Sequence, residues 1–80
     1  METIIVGLQH IISDYVANDI EEYMIKNSIP LDAVQEFLDN FDTITTLCQS
    51  YAVPLTVRIE IAKTTIHDTR MDNFLEFLGL

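Results

Sequence analysis

The sequence predicts an all-α fold, a compact bundle of four to five short helices in which residues 1–80 form one helical domain. Three observations lead there. Apolar residues recur three and four positions apart through most of the chain, the spacing that gathers them on one face of a helix. Pro30 and Pro54 each stand just ahead of such a run, where a residue without an N–H forfeits no helical hydrogen bond. The one stretch that alternates like a strand, residues 55–61, has no pairing candidate except the short run around Ile4 to Val6, and an unpaired strand leaves its backbone groups unsatisfied. The alternative is an α+β fold with a short strand at 55–61.

The first helix is expected from Ile4, with Ile4, Ile5, Leu8, Ile11, Ile12, Tyr15 and Val16 on one face and Gln9, His10, Ser13 and Asp14 opposite. Continued further, it would carry Asp19 to the middle of the apolar face and bury an unpaired charge. A break is therefore expected between Val16 and Asp19. Asn18 followed three residues later by Glu21 has the arrangement of a capping box, so a second short helix should run from Asp19 to about Lys26 and end at Asn27 and Ser28.

Pro30 suits the first turn of a third helix, Leu31 to about Tyr51, whose apolar stripe is Val34, Phe37, Leu38, Phe41, Ile44, Cys48 and Tyr51. Asp32, Glu36 and Asp39 face the other way, and Thr43, Thr45 and Thr46 lower the helix propensity locally. As a helix beginning with Pro54 in its first turn, the next segment stacks Leu55, Ile59, Ala62 and Ile66 and leaves Val57 and Ile61 on a separate face. Met71, Phe74, Leu75 and Leu78 mark a last helix, with Thr69 and Asp72 as its capping pair. The expected core is Ile5, Leu8, Ile12, Tyr15, Phe37, Leu38, Phe41, Ile44, Cys48, Ile59, Ile66, Phe74 and Leu78.

Apolar residues make up 49% of the chain, so a net charge of −9 does not signal disorder. A single core in a chain this short supplies roughly 3–5 kcal/mol. Self-association as a homodimer, through the unplaced Val57 and Ile61, is the expected support. Cys48 is the only cysteine, so no intramolecular disulfide can form, and its place on the apolar stripe reads as core packing. The run Ile4 to Leu8 is too short for a signal peptide and lacks a basic lead, and no stretch is apolar enough to span a membrane. A cytoplasmic location follows, the host cytoplasm if the gene is carried by a phage.

Charge is divided unevenly. Residues 2–42 hold nine acids and one base, Lys26, whereas residues 43–80 carry a net charge of −1. A charge excess gathered on one part of a small domain suits a basic partner. The candidate partner-binding residues are Asp19, Glu21, Glu22, Asp32, Glu36, Asp39 and Asp42. Alone, the stripe of Asp32, Glu36 and Asp39 carries about one charge per 5 Å, against about one per 1.7 Å in duplex DNA. With the helix bearing Asp19, Glu21 and Glu22 alongside, the density would approach the roughly 3.4 Å spacing of a single strand. The bland counterpart is a solvated face that keeps the protein in solution.

Other chemistries find little to work with. His10 and Asp14 are spaced for a shared metal, but no third ligand is near. Asp39 to Asp42 lacks the glycine and closing glutamate of a calcium loop. No nucleophile–base order, CxxC pair or phosphate-cradling glycine loop occurs. No enzyme activity, cofactor or metal is therefore expected.

The stretch Leu47 to Ile61, with Ala52-Val53 at its middle and Thr56-Val57-Arg58 after it, resembles a helix-turn-helix of bacterial regulators. It departs from that pattern by one residue in spacing and by alanine where glycine is common. It places only Arg58 and Lys63 near a recognition helix, too few for phosphate contacts. In size and charge, the chain resembles the small acidic proteins, often phage-encoded, that inhibit nucleases or defence complexes, phage anti-CRISPR proteins among them. That resemblance implies an inhibitor that mimics nucleic acid, occupying a basic nucleic-acid-binding site on a protein, with no direct contact to nucleic acid or membrane. The alternative is a homodimeric adaptor or assembly chaperone that binds through apolar grooves, its acids serving solubility.

Overall fold

The computed structural model describes residues 2–12 and 15–80, which contain five helices and no strand: α1 Glu2–Ile11, α2 Ala17–Lys26, α3 Leu31–Leu47, α4 Leu55–Lys63 and α5 Thr69–Phe77. The bundle is all-α, and residues 55–61 belong to a helix. α1 packs on both α2 and α3, and α3 packs on α4. α5 keeps its backbone further from the others and fills the centre with Met71, Phe74 and Leu75, each at most 1% exposed.

α1 ends at Ile11, earlier than the break expected between Val16 and Asp19. Tyr15 turns toward α5, where its hydroxyl donates to the Phe77 carbonyl at 2.7 Å and its ring tilts onto the Phe77 ring. The chain re-enters a helix at Ala17, with extended Val16 at the N-cap, whose carbonyl accepts from the N–H groups of Asp19 and Ile20. Asn18 is consequently inside the first turn and caps nothing, so the expected capping box does not form. Asp19 is exposed, and the charge burial that argued for a break is avoided. The expected positions of Ser13 and Asp14 lie outside the described residues.

α2 buries Ile20 and Met24, which the sequence-based core omitted. Its end is a Schellman motif: the Ile29 N–H bonds back to the Met24 carbonyl, the Ser28 N–H to that of Ile25, and Ser28 takes φ 51°. Ile29 and Met24 are both buried in the core. The same motif ends α5, where Gly79 at φ 78° sits between the Glu76 and Leu75 carbonyl bonds. Gly7 of α1 lies against α3, where a Cβ would stand 3.0 Å from Leu38 Cδ1.

α3 stops at Leu47, one turn short of the expected Tyr51. Val34, Phe37, Leu38 and Phe41 are buried as expected, Ile44 and Cys48 are half-buried, and Tyr51 is 72% exposed. The Thr43 and Thr46 hydroxyls donate to the carbonyls of Asp39 and Asp42, the back-bonding that weakens a helix end. Pro30 and Pro54 occupy N-caps, one position ahead of the first turns expected for them. In α4, Ile59 and Ala62 face the core while Leu55 is exposed, contrary to its expected place in the stack. Asp68, not Thr69, caps α5: its Oδ1 accepts the Arg70 N–H at 2.8 Å, because Asp68 has the extended backbone of an N-cap and Thr69 is already helical.

Candidate functional site

On α3, burial of Val34, Phe37 and Phe41 turns Asp32, Glu36 and Asp39 outward. At 3.6 residues per turn the three carboxylates fall within an arc of about 60° and along about 10 Å of helix. Asp42 lies about 60° further round. All four are exposed, and Asp39 accepts a hydrogen bond from the Gln35 amide at 2.9 Å.

On α2, burial of Ile20 and Met24 places Asp19 and Glu21 on opposite flanks, with Glu22 on the outward surface between them. Glu21 and Glu22 border an open depression of about 560 Å³ shared with Asn18, Ile25 and Lys26. α2 and α3 each pack on α1 rather than closely on one another. The seven candidate acids are thus carried by two helices, three on α2 and four on α3.

Compared with known proteins, the chain matches no family model, no curated protein and no solved structure.

The sequence reading missed an aromatic cluster beside the α2 acids. Tyr23 stacks on Phe77 with ring centroids 4.2 Å apart and on Phe74 at 5.6 Å. Tyr15, Tyr23 and Phe77, with Asp19, Glu22 and Lys26, line an open pocket of about 360 Å³. The available signal was the spacing of Asp19, Tyr23 and Lys26, four and three residues apart on one helix face. Phe77 carries no such local signal.

The bases of the second half are tied into the fold. Arg58 lies over the Phe41 ring at 5.6 Å and donates to Thr45 Oγ1 at 3.1 Å, while its Nε is buried with no hydrogen-bond partner among the described residues. Lys63 pairs with Glu60 and donates to the Leu80 carbonyl. Arg70 bonds Asp68 and reaches across to the Ser28 carbonyl at 3.0 Å. The side-chain hydrogen bond from Arg70, reinforced by its backbone N–H, holds the Asp68 carboxyl below its ordinary 3.8. Arg58 and Lys63, the two bases of the helix-turn-helix resemblance, are thus directed at the protein itself.

Val57 and Ile61 are each 44% exposed and, with Thr56, Glu60 and Thr64, line a shallow groove of about 390 Å³ on α4. His10 is exposed at the end of α1, and its proposed metal-sharing partner Asp14 lies outside the described residues. Among the described residues, no helix is long and apolar enough to cross a membrane.

Proposed function

We propose that this chain is a non-enzymatic binding protein whose acidic α2 and α3 surfaces dock on a basic surface of a protein partner and occlude a nucleic-acid-binding site there, an inhibitor of the anti-defence type acting in the cytoplasm. One observation carries the reading. All seven candidate acids are exposed, and among the described residues none is in an ion pair, whereas Glu60 and Asp68 each have a basic partner. Carboxylates left without a basic partner keep their attraction for an external cation and steer its approach. The acids are carried by α2 and α3, so the complementary basic surface has to reach both helices.

The test is affinity capture with the tagged wild type and with a D32N/E36Q/D39N variant at low and high salt. The expected partner is released by salt, is held about tenfold less tightly by the variant, a loss of about 1.4 kcal/mol, and loses its nucleic acid when the wild-type chain binds. A partner held equally by both proteins and indifferent to salt would overturn the proposal. That outcome would favour the second reading, a homodimeric adaptor, which rests on the exposed Val57 and Ile61 in the α4 groove.

A further inference from the structure

The pocket between α2 and the end of α5 combines two kinds of surface that serve different ends of one ligand. Its floor is aromatic: Tyr23 and Phe77 lie nearly parallel, 14° apart, and Tyr15 leans on Phe77 with centroids separated by 5.4 Å. Charged residues line the pocket as well, two acids, Asp19 and Glu22, and one base, Lys26. The arrangement is held from behind. The Tyr15 hydroxyl is bonded to the Phe77 carbonyl, and Tyr23 stacks on Phe74, which is fully buried.

We propose that this pocket receives an arginine side chain of the basic partner. The proposal rests on the reading that a basic protein surface is what the chain binds, and it names the contact through which the α2 group acts. An arginine is apolar along its stem and cationic at its tip. The stem fits the ring floor, and the planar guanidinium can lie against aromatic carbon while its fork of N–H donors meets carboxylates in pairs. A lysine would offer a compact, strongly hydrated charge with no planar face. An anion would meet two carboxylates for one ammonium. At about 360 Å³ the pocket is at the small end of ligand cavities, a size suited to one inserted side chain.

Lys26 makes the proposal specific. Lys26 lines the same pocket as Asp19 and Glu22, and its positive charge opposes a guest cation there. Removing it should therefore tighten binding, an effect that loss of a distant lysine should not reproduce.

The experiment is an NMR titration of the full chain with N-acetyl-arginine amide, and separately with N-acetyl-lysine amide. Saturable shifts are expected at the Tyr15, Tyr23 and Phe77 rings and the Asp19 and Glu22 carboxylates, larger with the arginine probe. Affinity should rise about threefold in K26Q, stay level in the control K63Q, and fall about fivefold in D19N/E22Q, whose substituted side chains are exposed and spare the core. Shifts at Asp32, Glu36 and Asp39 without any at the rings would overturn the pocket and leave the basic-partner reading standing. Saturable ring shifts alongside a failed capture experiment would keep the pocket and remove that reading. Equal binding of the two probes would overturn the choice of arginine, and no saturable shift at all would overturn the site.

Discussion

The two halves of this chain use charge in opposite ways. From Thr43 onward, each base reaches another part of the protein: Arg58 the Phe41 ring and Thr45, Lys63 the Glu60 carboxylate and the Leu80 carbonyl, Arg70 the Asp68 carboxylate and the Ser28 carbonyl. From Glu2 to Asp42, the described acids lie exposed, and no ion pair forms among the described residues. The first half is held instead by what lies beneath its acids, Ile20 and Met24 under α2, and Val34, Phe37 and Phe41 under α3. Surface ion pairs contribute little to stability, typically about 0–1 kcal/mol. The difference therefore matters less for the fold than for what each surface can offer a partner: the bases of one half are engaged within the protein, and the acids of the other are not ion-paired.

The largest effect that would sharpen this contrast is at the apolar underside of the acidic half. Ile20→Ala should cost about 2–5 kcal/mol, since Ile20 is fully buried and its loss leaves a cavity between helices. Urea denaturation checks it, and a cost below 1 kcal/mol would mean that α2 is not anchored by its apolar face. Next is Arg58. Arg58→Ala should destabilise by about 1–2 kcal/mol through loss of the Phe41 and Thr45 contacts, whereas Arg58→Met should be close to neutral because it keeps the stem and removes the unpartnered buried Nε. Equal losses in both variants would show that the guanidinium charge itself is required.

Asp68 gives the same comparison a pH dependence. Its folded value lies below the ordinary 3.8, so its contribution is present above that value and is lost as the pH falls through the folded one. Thermal unfolding of Asp68→Asn should accordingly show a shallower decline than wild type below about pH 4; an identical decline would mean that the Arg70 contact does not couple to folding. Smallest of all is the effect expected on the exposed face of the first half. The D32N/E36Q/D39N variant should stay within about 0.5 kcal/mol of wild type, and a loss of 2 kcal/mol or more would break the contrast by showing that the exposed acids hold the fold.

Much of the architecture was legible because it is local. The spacing of Val34, Phe37, Leu38 and Phe41 defines a helix face without reference to any other segment, and the same holds for Met71, Phe74, Leu75 and Leu78. Residues 55–61 were decided by an argument about pairing, since a strand there would have lacked a neighbour, and they form α4. The errors fall at helix ends. Asn18 and Thr69 were chosen as caps from residue type and spacing, but the cap is set by which residue leaves the helical conformation, and that depends on how the chain arrives from the preceding element. The overlong third helix has the same origin: a stripe that reaches Tyr51 on paper finds nothing for Tyr51 to pack against.

By itself the sequence determined the helical class, the division of charge between the halves, and the outward direction of Asp32, Glu36 and Asp39, because each depends on composition or on a single helical period. Only the tertiary structure decided that α2 and α3 each pack on α1 and that Asp19 and Glu22 stand beside Tyr15, Tyr23 and Phe77. The physical reason is sequence separation. Tyr15 and Phe77 are 62 residues apart, and the hydrogen bond and ring contact that join them exist only after α5 has closed over the bundle.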